Sequence, residues 1–284
     1  MDRVYRLIMA CPDQVGIVAK ISNFIAQYNG TIVEANHHAD QDEGWFFMRN
    51  EIKADSLPFG PETFSEVFAP IAKDLNMNWQ MVDSKKPHRV VLMCSKDSHC
   101  LADILNRWHS GDMACDIPCV ISNHDELRSL VEWHGIPFYH VPVDPQDKQA
   151  HFDRVEELIQ QHDADTIVLA RYMQILPEAI CELYPGRVIN IHHSFLPSFV
   201  GARPYHQAHK RGVKLIGATC HYVTQELDAG PIIDQDVVRI GHRHRVEDMV
   251  RLGKDVEKRV LARGLGLHLE DRVIVHGNKT VVFD

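Results

Sequence analysis

The apolar positions of residues 1–82 change period several times. VYRLIMAC (4–11) is a strand-like run, and over 12–30 Val15, Val18, Ile21, Phe24 and Ile25 recur at helical spacing until Asn29-Gly30 closes the segment. TIVEANHHAD (31–40) and GWFFMRNEI (44–52) predict two strands around a QDEG turn. A second helix over 61–76 and a strand at NWQMV (78–82) complete the order β-α-β-β-α-β, which predicts a ferredoxin-like domain over 1–82. Residues 83–88, polar and carrying Pro87, predict a linker.

From 89 to 284 the pattern becomes strand–helix alternation. RVVLMCS (89–95), DIPCVIS (116–122), FYHVPV (138–143), TIVLA (166–170), RVINIH (187–192) and IGATCHYV (216–223) read as strands, with helices reaching to about 109 and over 125–134 and 147–162. β-branched runs alternating with helices predict an α/β fold, a mostly parallel, doubly wound sheet covered on both faces. Ligands bind such sheets outside the carboxyl ends of the strands, so the segments after Ser95, Ser122, Val143, Ala170 and His192 are the places to search.

Composition narrows the classes. With 284 residues and 45% hydrophobic content, two buried cores are expected. A formal charge of −9 argues against a nucleic-acid partner or an anionic membrane surface. No apolar run reaches membrane-span length, and the start of the chain lacks a signal-peptide pattern. Seven cysteines, odd in number and scattered through apolar runs, predict reduced thiols and a cytoplasmic protein. The nineteen histidines include no HExxH, and their clusters lack partners at ligand spacing, so no metal is expected.

The chemistry-bearing segment follows RVINIH. Side chains alternate along an extended strand, so Asn190 and His192 project to one side and Ile191 and His193 to the other. Taken alone, this could be a strand-end asparagine bonding its own loop beside a solvated histidine. Asp228 precedes Ala229-Gly230-Pro231, a tight turn that can hold a carboxylate at a fixed angle, although aspartate is also a plain turn-former.

Residues 188–235 resemble the core of the folate-dependent formyltransferase family, with N-I-H-x-S-x-L-P, then T-x-H on a strand, then D-x-G-x-I in that order. The resemblance extends over about 88–284, through VISN (120–123) and ARYMQIL (170–176). It implies that Asn190, His192 and Asp228 are the catalytic trio and that Met173, Ile175 and Leu176 line a pterin pocket. It also implies a supporting role for His221, while Gln174 departs from the arginine common at that position in the family's glycinamide ribonucleotide formyltransferases, the ribonucleotide enzymes. The residue types suit the reaction. Cleavage at a formamide passes through a tetrahedral intermediate whose oxyanion an amide N–H and an imidazolium can stabilise, and a carboxylate can relay the proton. No cofactor is expected, and the resemblance implies 10-formyltetrahydrofolate as the substrate.

The acceptor of the formyl group is expected to be water. SKDSHCL (95–101) contains no glycine, whereas the ribonucleotide enzymes cradle a phosphate there on a glycine-rich loop. That segment and the doubled histidine of NIHHSFLPSF resemble the formyltetrahydrofolate deformylase branch of the family, whose members carry a leading ACT domain similar to 1–82. The implied reaction is hydrolysis of 10-formyltetrahydrofolate to formate and tetrahydrofolate, balancing one-carbon pools and supplying formate for purine synthesis. A folate-dependent formyltransferase acting on an amine is the alternative, and a non-catalytic, amino-acid-sensing folate binder is a third reading. The ACT resemblance implies a homo-oligomer and glycine or methionine as effectors. Free backbone N–H groups at 12–16 would meet the effector carboxylate, Gly16 would permit close approach, and Asp13 or Asn36 would answer the ammonium.

Overall fold

The computed structural model describes residues 2–198 and 204–284, which form two compact units. Residues 1–87, 270–276 and 280–284 make the first; 88–269 and 277–279 make the second. Residues 270–284 therefore divide between the units, with most of them in the first, where the sequence pattern had put all of them with the 89–284 segment.

The first unit contains β1 (Val4–Pro12), α1 (Ile17–Gln27), β2 (Ile32–Asp40), β3 (Trp45–Lys53), α2 (Pro61–Asp74) and β4 (Asn78–Asp83). Its sheet order is β2-β3-β1-β4, with every neighbouring pair antiparallel. Alternation sorts the strands by face: Leu7, Met9, Phe46 and Met48 meet the helices, while Ile8, Ala10 and Phe47 cluster with Ile274 and Phe283. α1 starts later than the 12–30 pattern predicts. Gly16 caps it at φ 94°, and Val15 lies ahead of the helix, fully exposed. Arg49 is buried on the second face, bonded to Glu51 at 2.6 Å and to the Glu270 and Asp271 carbonyls at 2.8 and 3.1 Å.

The second unit runs β5 (His88–Cys94), α3 (His99–Ser110), β6 (Cys115–Asp116), β7 (Val120–Ser122), α4 (Arg128–Trp133), β8 (Phe138–His140), α5 (Lys148–Gln161), β9 (Thr166–Leu169), α6 (Glu178–Leu183), β10 (Val188–His192), α7 (Pro204–Arg211), β11 (Leu215–Tyr222), β12 (Ile232–Arg239) and α8 (Val246–Leu269). Sheet order is β12-β11-β10-β9-β5-β7-β8. It is parallel from β10 to β8, and antiparallel where β11 and β12 return. The run expected at 116–122 is broken into β6 and β7, since Pro118 has no N–H to give the ladder. α5 and α6 pack against β5 and β9 through Val155, Leu158 and Ile180, and α8 packs on β10, β11 and β12. Among the described residues no helix is long and apolar enough to cross a membrane.

The end of α8 is tied to the sheet by one histidine. His268 Nε2 pairs with the Thr166 hydroxyl at 3.0 Å and Nδ1 with the Tyr222 hydroxyl at 2.9 Å. Burial, with a smaller contribution from His88, pushes its pKa down to about 3. The folded protein then binds fewer protons than the unfolded chain below pH 6.5, so this contribution to stability is present above that pH and is lost as pH falls toward 3. His268→Asn should flatten the acid side of the stability curve by about one proton, measured as urea midpoints between neutral pH and about pH 4.

Candidate active site

The carboxyl ends of β5, β7, β9 and β10 converge, and short polar contacts fix their loops. Ser95 Oγ, just past β5, donates to Asn123 Oδ1 at 2.6 Å and accepts from Met173 N at 3.0 Å. One hydroxyl thereby joins the segment after β5, Asn123 at the end of β7 and the loop after β9. The loop after β10 is held by Thr219. Its hydroxyl donates to Ser194 O at 2.9 Å and accepts from Leu196 N at 3.0 Å, and Gln235 bonds both Thr219 and Leu196. Thr219 stands in the T-x-H pattern without an expected role, and Gln235 carries no motif signal. The available signal was the spacing of two between Thr219 and His221, which puts both on one face of β11. Residues 199–203, part of the loop between β10 and α7, lie outside the described residues.

Antiparallel pairing sets Asn190 opposite His221 and His192 opposite Thr219. Asn190 Nδ2 donates to His221 Nε2 at 3.1 Å, and His221 Nδ1 lies 2.9 Å from Tyr222 O. A carbonyl only accepts, so these contacts assign the His221 proton to Nδ1 and leave Nε2 as an acceptor. Burial lowers the His221 pKa, the Tyr222 carbonyl partly opposing it, so the ring is neutral. Asp228 Oδ1 stands 3.3 Å from His192 Nδ1 and 3.8 Å from His221 Nε2. The hydrogen bond from His192 is the main cause that holds the Asp228 carboxyl below its usual range, with burial opposing and the histidine charges assisting. His192 Nε2 is buried and has no partner among the described residues. The three residues expected to do the chemistry, with His221, therefore form one connected group.

Asp228 sits at φ 54°, a left-handed conformation that aspartate tolerates better than most residues. Gly230 makes this turn possible: a Cβ there would stand 1.9 Å from Tyr222 O, the carbonyl that fixes His221. Asn278 Nδ2 donates to the intervening Ala229 carbonyl at 3.0 Å.

These side chains line a cavity of about 640 Å³ that also takes in Met173, Gln174, Ile175 and Leu176. Met173 and Ile175 are 56% and 69% exposed, so the cavity mouth offers apolar surface that a flat ring system could cover. His193 lies beyond the end of β10, so strand alternation does not govern it. Its ring stacks on His192 with centroids 5.1 Å apart and lines the same cavity, rather than facing away from the trio.

At the far side of the cavity, Asp97 pairs with Lys254 at 2.7 Å and with Arg171 at 3.4 Å. Glu257 is buried, bonded by His99 and Tyr205, and Arg171 Nε stands 3.4 Å from it. Burial alone would raise the Glu257 pKa, but the bond from His99 and the charge of Arg171 reverse this and hold it below the usual range. His99, Cys100 and Glu257 gather ligand-type atoms within 4.8 Å of one another, yet the Glu257 oxygens already take His99 and Tyr205, and burial pushes the Cys100 thiol well up. The group reads as an ion-pair cluster.

The three residues assigned to an effector are in the first unit. Asp13 and Gly16 lie at the entry to α1, whose first turn has no side-chain cap. Asn36 is paired opposite Arg49, on the sheet face away from the helices, and its amide donates to Glu34 at 2.7 Å. The structure therefore does not bring Asn36 to the other two.

Residues 88–265 match the formyl transferase family. The formyltetrahydrofolate deformylase of Synechocystis sp. is 47% identical over 277 residues, 98% of this chain and 97% of that protein. The Bacillus subtilis protein of the same name is 45% identical, covering 98% and 93%. Among solved structures, a formyltetrahydrofolate deformylase from Pseudomonas syringae pv. tomato superposes with a TM-score of 0.99 at 66% identity, covering 100% of this chain and 95% of that one. A phosphoribosylglycinamide formyltransferase from Anaplasma phagocytophilum superposes with a TM-score of 0.64 at 32% identity, covering 70% and 96%.

Gly230→Ala should displace the Tyr222 carbonyl and release His221. The expected cost is about 1–3 kcal/mol, as for other overpacking changes. Urea melts would read the loss, and the titration of His221 would report whether its partner had moved.

Proposed function

The chain belongs to the formyl transferase family, within its formyltetrahydrofolate deformylases, and on that premise we propose that it hydrolyses 10-formyltetrahydrofolate to formate and tetrahydrofolate through Asn190, His192 and Asp228. The observation that carries the reading is the convergence of an amide, an imidazole and a depressed carboxylate on one cavity with an apolar rim. The pterin and its ring substituents lie against Met173, Ile175 and Leu176, with Gln174 available for a polar contact. Asp228 accepts a proton from water as the water oxygen bonds to the formyl carbon. The developing oxyanion is met by an Asn190 N–H and by protonated His192, each such donor being worth about 3 kcal/mol. The intermediate collapses as the carbon–N10 bond breaks, and the proton held by Asp228 passes to N10. His221, kept neutral, orients the Asn190 amide.

Water is favoured over an amine acceptor by the charge balance of the cavity. A phosphorylated acceptor is held by backbone N–H groups or by unpaired cations, and among the described residues of the cavity Lys254 and Arg171 already face Asp97 and Glu257. We place the enzyme in the cytoplasm, where its seven free cysteines stay reduced and where formate released from the folate pool can serve purine synthesis.

Incubation with 10-formyltetrahydrofolate in buffer alone should release formate and tetrahydrofolate in equal amounts, and adding glycinamide ribonucleotide should yield no formylated product. Formylation of that amine at a rate comparable to formate release would reject water as the acceptor. Asp228→Asn should lower kcat by about 100-fold or more while leaving folate binding within a few-fold. Substantial activity in that variant would move the catalytic carboxylate elsewhere.

The first unit is read as an ACT-like regulatory and assembly domain. Its β-α-β-β-α-β order, and the uncapped entry to α1 beside Asp13 and Gly16, support an amino-acid effector there and a homo-oligomer built through its sheet. Asn36 plays no part in this version of the site. Because residues 270–276 and 280–284 complete this unit, deleting 1–82 would strip their apolar partners, so point variants of the full chain make the better test. Glycine and methionine should change the rate in opposite directions, and Asp13→Ala should weaken both responses. No response to either amino acid in the intact protein would leave assembly as the domain's role.

A further inference from the structure

Three features with an energetic cost meet beside the catalytic group without belonging to it. Arg171 holds φ at 64°, a left-handed conformation that is unfavourable for a non-glycine residue. Glu257 is a carboxylate only 1% exposed. Gly253 occupies the interior of α8, where glycine is less favourable than alanine. A Cβ at Gly253 would stand 1.9 Å from the Tyr205 hydroxyl. All three serve one cluster. Gly253 leaves room for Tyr205 to donate to Glu257 at 2.6 Å, and Glu257 faces Arg171 Nε at 3.4 Å. Arg171 Nη2 faces Asp97, and Nη1 donates to Nδ1 of His193. The cluster ends at His193, whose ring lies 18° from parallel with that of His192.

We propose that Arg171 is a positioning residue that assigns the single positive charge of the stacked His192–His193 pair to His192, by keeping a permanent donor on Nδ1 of His193. The inference rests on the reading above, in which His192 meets the oxyanion as an imidazolium. Guanidinium does not deprotonate in proteins, so Nδ1 of His193 can only accept, and the ring proton resides on Nε2. A second proton on His193 would have to displace Arg171 and would set a cation against a cation. The groups facing His193 are Arg171 and His192, which oppose a charge there, Glu257 and Asp228, which favour one, and the Tyr205 ring at 6.2 Å. Burial is the largest influence, and with Arg171 it lowers the His193 pKa to about 4. His192 instead has Nδ1 3.3 Å from the Asp228 carboxylate. A second positive charge on parallel imidazoles with centroids 5.1 Å apart is strongly disfavoured, and among the described residues His192 is the one of the two with a carboxylate partner.

The test is histidine-selective ¹³C and ¹⁵N NMR of the full chain without substrate, the His193 signals being assigned through His193→Asn. His193 should show a neutral ring with the proton on Nε2 down to about pH 5, well below the range where free imidazole titrates. In Arg171→Gln its titration should move up by at least about one pH unit. The acid limb of the kcat profile should move the same way, and Arg171→Gln/His193→Asn should return that limb to its wild-type position. A charged His193 at about pH 6 in the wild type would overturn the proposal. So would an Arg171→Gln loss that is the same factor at every pH and is not relieved by His193→Asn, the result expected of a merely structural arginine. The wild-type measurement decides the matter even if Arg171→Gln does not fold. It also needs no turnover: full activity in His192→Ala would reject the reading of the trio, whereas a protonated His193 would reject this assignment.

Discussion

In an antiparallel ladder, residues directly opposite each other project to the same face, and the pairing of β10 with β11 uses this to build the site. Asn190 opposite His221 and His192 opposite Thr219 place an amide, two imidazoles and a loop-holding hydroxyl side by side. A slip of one residue would turn each of them to the other face. The return of β11 from the far side of Asn190 then carries the chain to the turn where Gly230 allows the Asp228 carboxylate to reach back. The contacts among Asn190, His192, Thr219, His221 and Asp228 depend on that register, and Gly217, Gly230 and Gly264 are the places where close approach of β12, the turn and α8 preserves it.

The helices pay for the site's order in a different way. α8 buries Glu257 among apolar residues, a charge that would cost several kcal/mol if unpaired. His99 from α3, Tyr205 from α7 and Arg171 from the loop after β9 all turn toward it. Three segments distant in sequence are thereby held at fixed positions around the cavity by one carboxylate. The neutral His268 does the same at the carboxyl end of the helix, joining β9 and β11 without any charge.

Much of this was legible in the sequence, and the rest was hidden for identifiable reasons. Period-2 and period-3.6 patterns marked the first six elements and the parallel strands, because burial of one face imposes them. That Asn190, His192 and Asp228 would stand together was legible only through the resemblance of their motif; a turn aspartate alone carries no such signal. The helix α8 escaped notice because its apolar positions are interrupted by Gly253, Glu257 and Gly264, residues whose reasons lie in Tyr205, Arg171 and Cys220. His193 was assigned to the wrong side because alternation was carried one residue past the end of β10. Asn36 could not be separated from Asp13 and Gly16 without knowing which face of β2 it occupies.

Arg49 carries a consequence for how the protein is made. Its guanidinium is buried against Glu51 and the carbonyls of Glu270 and Asp271, and beside it Ile8, Ala10 and Phe47 wait for Ile274 and Phe283. During synthesis, residues 1–87 emerge first but lack those partners until all 182 residues from His88 to Leu269 have followed. At ribosomal speeds of about 5–20 residues per second, the amino-terminal sheet spends roughly ten seconds or more with one apolar face and one arginine still exposed to water. The order of appearance on the ribosome is thus not the order of completion: the second unit has its own sheet in hand before the first can close.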